Sequence, residues 1–175
     1  MSCLRLLGFP VLLGAAAGLI AAPPSRLLAQ SPSTREQGVV HEQSDLLGTW
    51  RLDLSRSKYV PGPAPRNETR TYARDKEGVK GTIQRQYADG REETIEYRSD
   101  FDQEMPVSGT EAYDAITLKR IDARTAEATL SHAGRVFGKA RRIISEDGQT
   151  LTITLERESP DFTRNVAVYR KENGK

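Results

Sequence analysis

From Leu46 onward the chain is a series of short runs in which apolar and polar residues alternate. A period of two predicts strands with one face toward a core and one toward water. Nine or ten strands are predicted, over 47–53, 67–75, 79–87, 91–101, 105–109, 113–122, 125–131, 135–145, 149–157 and 165–172. No stretch carries a sustained period of 3.6. Only Leu54 to Tyr59 suits a helical turn, and Pro61-Gly62-Pro63-Ala64-Pro65 after it forces an extended loop.

The turns between the runs carry register information. Lys76-Glu77-Gly78, Ala88-Asp89-Gly90, His132-Ala133-Gly134 and Glu146-Asp147-Gly148 each separate two strand-like runs and end in glycine. That pattern predicts three-residue hairpin loops, in which the glycine takes a left-handed conformation and makes a bulge. At 88–90 the rule pairs Tyr87 with Arg91 and Ile83 with Ile95, which places Ile83, Tyr87, Ile95 and Tyr97 on one face. At 132–134 it pairs Leu130 with Val136 and Ala128 with Gly138. At 146–148 it pairs Ile143 with Leu151 and Arg141 with Ile153. The last two registers conflict along one regular strand. A bulge near Gly138 is the expected remedy. An up-and-down meander of this length removes its exposed edges by closing into a barrel, so the fold class expected is all-β.

Residues 1–30 do not share this pattern. Arg5 supplies a positive start, Leu6 to Ala22 is apolar, and small residues and prolines follow. That order describes a secretory signal peptide, and the apolar run is shorter than the roughly 20 residues a spanning helix needs. Cleavage after Ala22, Ala29 or Gln30 is left open. Residues 31–45 are polar and patternless and read as a flexible linker, which leaves 46–175 as the barrel domain of a periplasmic or secreted protein. Removing Arg5 and Arg26 from the chain's 26 basic residues leaves 24 against 24 acidic ones. The mature chain is thus neutral and has no basic stripe for nucleic acid. Its one cysteine, Cys3, goes with the leader, so the mature domain has no disulfide and no thiol nucleophile.

Gly48-Thr49-Trp50 on the first strand resembles the Gly-x-Trp mark of the lipocalin and fatty-acid-binding-protein barrels, the calycin-like group. The same tryptophan also suits the core of a β-sandwich. The longer run Gly48 to Asp53, then Ser57-Lys58-Tyr59, Pro61 to Pro65, Ile121-Asp122 and Asp147 to Thr152, resembles small exported bacterial lipocalin-like proteins of unassigned function. The resemblance spans most of 46–172. It implies that Trp50 packs at the closed end against a basic residue of the last strand, supplied by Arg170 or Lys171 in Val168-Tyr169-Arg170-Lys171. It also implies a lumen that holds a small hydrophobic or amphipathic molecule. Two features depart from the fatty-acid binders. Only the proline-rich 54–66 stands where they insert a helical lid. Their carboxylate-holding Arg-x-Tyr on the last strand is matched by Ala167 and Tyr169, so the arginine is missing.

The chain carries no Gly-x-Ser-x-Gly elbow, phosphate-binding glycine loop or His-Glu-x-x-His motif. Its two histidines, His41 and His132, sit in unrelated segments. Neither an enzyme nor a metal site nor a cofactor is expected. The sharper signal is arginine on otherwise apolar strand faces: Arg85 between Ile83 and Tyr87, Arg120 after Ile116 and Leu118, and Arg141 or Arg142 beside Ile143 or Ile144. Inside a barrel such arginines need an anionic partner, whereas at a rim their heads reach water. The expected ligand-binding residues are Arg85, Tyr87, Tyr97, Arg120, Arg141 and Tyr169, with Gly48, Trp50 and Arg170 as the structural signature. The alternative is a solid barrel that acts through its surface as a protease inhibitor or envelope assembly factor, with the Pro61–Pro65 loop as its contact.

Overall fold

A computed structural model of the chain describes residues 45–75, 78–157 and 163–172. The segment read as a signal peptide and all of the linker except Asp45 lie outside the described residues. The strands are β1 (Gly48–Leu52), β2 (Lys58–Val60), β3 (Asn67–Asp75), β4 (Gly78–Gln86), β5 (Glu92–Ser99), β6 (Glu104–Ser108), β7 (Ala115–Arg120), β8 (Thr125–His132), β9 (Arg135–Ile144), β10 (Thr150–Arg157) and β11 (Thr163–Lys171). A single 3-10 turn, Leu54–Arg56, is capped by Asp53, whose carboxylate accepts from the backbone N–H of Ser55.

Every strand from β3 to β11 pairs antiparallel with the next, and β1 pairs with both β3 and β11. The sheet therefore closes on itself as a barrel of ten strand positions with up-and-down connections, the all-β meander expected from the sequence. β2 runs along the other half of β11, at Arg164 to Val166, so β1 and β2 share one position interrupted by the 3-10 turn. Successive hairpins alternate between the two ends. The turns after β2, β4, β6 and β8 ring one end. The turns after β5, β7 and β9, together with the start of β1, ring the other.

Inward side chains follow the predicted alternation. Ile83 pairs with Ile95, and the Tyr87 N–H donates to the Arg91 carbonyl at 2.8 Å, as a three-residue loop at 88–90 requires. Two registers differ from expectation. At the β8–β9 turn His132 pairs with Arg135, leaving a two-residue loop. Ala133 and Gly134 both have positive φ, as a type I′ turn demands, and the Asp114 carboxylate accepts from the Ala133 N–H at 2.9 Å. The bulge sits one residue before the expected place: Ser131 faces Val136 and Leu130 faces Gly138, so Phe137 is the extra residue. It turns inward while Val136 is left 64% exposed.

At the β9–β10 turn Ser145 and Thr150 close a loop of four residues. The Ser145 hydroxyl accepts from the Thr150 N–H and bonds the Asp147 carboxylate. Leu151 then faces Ile144 and Ile153 faces Arg142, one residue from the expected pairing. Gly78 pairs with Asp75, so it belongs to β4, and the loop residues 76 and 77 lie outside the described set.

The core fills the end where β1 begins. Leu46, Trp50, Tyr169, Ile144 and Leu151 are buried there. The Trp50 indole N–H donates to the Leu46 carbonyl at 2.8 Å. Lys171 donates to the Asp45 carbonyl at 2.7 Å and stands 5.1 Å from the centre of the Trp50 ring. Burial of an aromatic ring with its one polar atom satisfied makes a firm plug. Among the described residues no helix is long and apolar enough to cross a membrane.

Candidate functional site

The other half of the barrel is not filled. A cavity of about 190 Å³ lies inside it, and side-chain size explains where. β8 and β9 present Ala126, Ala128, Gly138 and Ala140 inward, so that wall stands far back. Facing it are the large side chains Arg70 and Tyr72 on β3 and Tyr97 on β5. The Tyr97 ring lies over Gly81, where any Cβ would come within 2.7 Å of it. Leu130, Ile153 and Leu155 complete the apolar lining. At the mouth Tyr113, from the β6–β7 loop, and the bulged Phe137 stand with ring centres 6.0 Å apart.

A charged cluster braces one side of this cavity. Glu68 on β3 is 2% exposed. Its carboxylate accepts from Arg70 Nε at 2.7 Å, Arg85 Nε at 2.6 Å and the Tyr169 hydroxyl at 2.6 Å. Burial pushes the Glu68 carboxyl up, but the Arg70 and Arg85 charges and these hydrogen bonds outweigh it and hold the pKa at about 2. Glu68 is therefore a fixed anion. Arg70 lies 5.1 Å from the Tyr169 ring centre. Arg85 also donates to the Tyr87 hydroxyl at 3.3 Å, and that hydroxyl donates to Glu93 at 2.7 Å. The buried Tyr59 hydroxyl is pushed up to about 12 by burial and by the Glu68 charge.

Of the residues singled out from sequence, Arg85 and Tyr97 line the cavity. Tyr169 is buried behind it, bonded to Glu68. Tyr87 stands at the mouth end between Arg85 and Arg91, its ring centre 4.1 Å from the Arg91 guanidinium. Arg120 is stacked 4.4 Å over the Phe101 ring, away from the cavity. Arg141 is on the outer face, 3.5 Å from Glu127, and Arg142 takes the inward position because the four-residue loop shifts the register. Arg170 does not meet Trp50. It points outward to Asp53 at 2.7 Å, and Lys171, one step along the strand, covers the indole. Gly48 starts β1 with a φ of 119°, where an added Cβ would stand 3.3 Å from the Lys171 side chain. The Pro61–Pro65 loop leaves Pro61 to Pro63 exposed and Pro65 buried.

Sequence reasoning passed over Glu68 and Arg70, whereas Tyr72, Tyr113 and Phe137 are aromatics that the sequence already offers either as pocket lining or as core, and all three line the cavity. The alternation Glu68, Arg70, Tyr72 along one strand was a usable signal, because three long polar or amphipathic side chains at a spacing of two share one face.

The described lining is apolar over most of its area, with arginine and tyrosine gathered on one side. Such a cavity suits a small molecule with an apolar body and a polar end. No protein-family model and no curated protein matches the chain. Three solved structures are similar in course. The fluorescent protein UnaG, wild type, is 13% identical with a TM-score of 0.48, over 74% of this chain and 98% of that one. Rv2717c from M. tuberculosis is 17% identical with a TM-score of 0.47, over 77% and 98%. The redesigned β barrel mFAP1, bound to DFHBI, is 14% identical with a TM-score of 0.35, over 75% and 99%.

Proposed function

We propose that the protein is an exported binding protein that holds a small, partly apolar, anionic molecule in its barrel and performs no chemistry on it. The observation that carries this reading is the cavity of about 190 Å³, apolar on the alanine side and edged by Arg70, Arg85 and Arg142 on the other. An empty apolar space inside a barrel forfeits dispersion contacts that a filled core would make, so a ligand that fills it contributes both affinity and stability. The volume supports a compact ligand, since pockets for drug-sized molecules run from roughly 300 Å³ upward. The leader-like order of residues 1–30 supports export.

Native mass spectrometry of the mature protein purified from its host, before and after organic extraction, tests the reading. The expected result is a discrete extra mass that disappears on extraction. A single bare mass, unchanged after soaking with a metabolite and lipid library, removes the carrier reading and favours a barrel that acts through its surface.

A further inference from the structure

Three inward positions stand side by side on neighbouring strands: Tyr72 on β3, Gly81 on β4 and Tyr97 on β5. Strands two apart lie about 10 Å from each other, so a side chain on the middle strand ordinarily separates the flanking ones. Gly81 has none. The Tyr97 ring leans into that space, where an added Cβ would come within 2.7 Å of the ring and 3.0 Å of the hydroxyl. The two phenols therefore meet and hydrogen-bond to each other. Both are buried, and both line the cavity.

A phenol carries one proton. Two hydroxyls bonded to each other use one proton and leave one. The carboxylates near them are already engaged, Glu68 by Arg70, Arg85 and Tyr169, and Glu93 by Tyr87. The remaining proton is thus left to the cavity, where a buried donor gains from an acceptor brought to it. Burial holds the Tyr97 phenol well above its ordinary range, so it keeps its proton. Arg70, the next inward residue along β3, lines the same stretch. Its guanidinium has donors and no acceptor, and its charge disfavours a cation beside it. The wall opposite, Ala126, Ala128 and Ala140, offers no polar side-chain atom.

Resting on the binding reading above, we propose that the Tyr72–Tyr97 pair, brought together over Gly81, reads the polar end of the ligand, and that this end is an oxygen bearing no hydrogen, a deprotonated acid or a carbonyl. The ligand body lies against the alanine wall. This seat is not the last-strand Arg-x-Tyr of fatty-acid binders, whose arginine position is Ala167 here.

Calorimetric titration of the mature protein with four single-ring probes tests this. Their size suits the space, since about 190 Å³ is modestly more than the roughly 150 Å³ apolar cavity known to hold benzene. Benzoate and acetophenone end in an acceptor oxygen, toluene has no polar end, and benzylammonium only donates. The expected result is saturable one-to-one binding of benzoate or acetophenone, at least about tenfold tighter than toluene and benzylammonium, as gain of one hydrogen bond in a dry site produces. Benzoate ahead of acetophenone assigns a deprotonated acid and the reverse order a carbonyl; either upholds the acceptor seat. The double variant Tyr72→Phe with Tyr97→Phe keeps both rings and loses both hydroxyls. It is expected to bring the acceptor probes down to the level of toluene and to leave toluene unchanged, whereas a purely structural role would weaken all probes alike. Should that variant fail to fold, the ranking of the four probes on the unaltered protein decides alone. Toluene or benzylammonium binding as tightly as both acceptor probes overturns the seat, and so does a double variant that keeps the preference. If no probe binds while the native protein carries an extra mass, the seat falls and the binding reading stands. If both experiments are silent, both fall.

Discussion

Glu68 has three strong partners, two of them the arginines Arg70 and Arg85, and Arg85 also stands 3.6 Å from Glu93. Removing its charge strands two buried guanidinium groups. Breaking a buried ion pair from one side typically costs about 3–5 kcal/mol. Glu68→Gln is expected to lose that much in urea denaturation, whereas Glu127→Gln, at the exposed pair with Arg141, is expected to lose less than about 1 kcal/mol. A loss at Glu68 no larger than at Glu127 would show that the cluster does not hold the barrel. The pH dependence follows from the same residue. Its folded pKa, about 2, lies below the unfolded value near 4.5, so its contribution is complete above about pH 4.5 and vanishes as pH falls toward 2. The shift is worth about 3 kcal/mol. At the alkaline end the sign reverses. Tyr59 is pushed up to about 12 from an ordinary 10, so its neutral form is tied to the folded state, and stability is lost as pH rises from 10 through 12. Melting temperature across both limbs, with phenolate absorbance on the second, is the measurement. A flat acid limb below pH 4.5 would mean that Glu68 is not held as a buried anion.

Along β9 one residue of register decides which side chains meet the lumen. Ile144 is 2% exposed and Ile143 is 42% exposed, although the two are chemically identical neighbours. Ile144→Ala is expected to cost about 2–5 kcal/mol, and Ile143→Ala to stay within about 0.5 kcal/mol. Thermal melts of the two variants read the register directly, and a reversed order would restore the pairing of Ile143 with Leu151. That pairing was legible but wrong, for a physical reason. A glycine after two polar residues suits several loop lengths, and the selection here was made by the Ser145 hydroxyl, which bridges the Asp147 carboxylate and the Thr150 N–H. The turn at 88–90 was read correctly because Ile83, Ile95 and Tyr97 fit only one register. The conflict between the β8 and β9 registers correctly announced a bulge. Its placement at Phe137 was not legible, because the extra residue is chosen by which side chain fills the mouth. Gly81 marks a further contact hidden in sequence. An alanine there would push its Cβ to within 2.7 Å of the Tyr97 ring. Gly81→Ala is therefore expected to cost about 1–3 kcal/mol and to shrink the lumen.

Taken over the whole molecule, the barrel is asymmetric along its axis, and that asymmetry assigns a direction to ligand exchange. The end where β1 starts is closed by Leu46 and Trp50, both buried, with the indole N–H satisfied and Lys171 over the ring. Opening it would expose large apolar side chains and break the Lys171 bond to the Asp45 carbonyl. The strand order and the Gly-x-Trp mark made this end readable in advance. What could not be read was the cavity itself, since it arises from alanines and a glycine on β8 and β9 that carry little pattern, facing bulky residues distant in sequence. At the opposite end the β6–β7 loop brings Tyr113 against Phe137 over the mouth. The loop is tightly anchored at Gly109, where an added Cβ would meet the Thr94 carbonyl, and at Asp114, which accepts from the Ala133 N–H. Between those anchors the Tyr113 side chain is the movable part, because a rotamer change clears the mouth without breaking strand pairing. Tyr113→Ala is accordingly expected to raise association and dissociation rates together, each by about tenfold or more, with a smaller change in Kd. Stopped-flow binding of whichever ligand native mass spectrometry reveals is the measurement, with Lys171→Ala as the control at the closed end. Rates that respond to Lys171→Ala and not to Tyr113→Ala would place the passage at the tryptophan end and reverse the direction argued from this asymmetry.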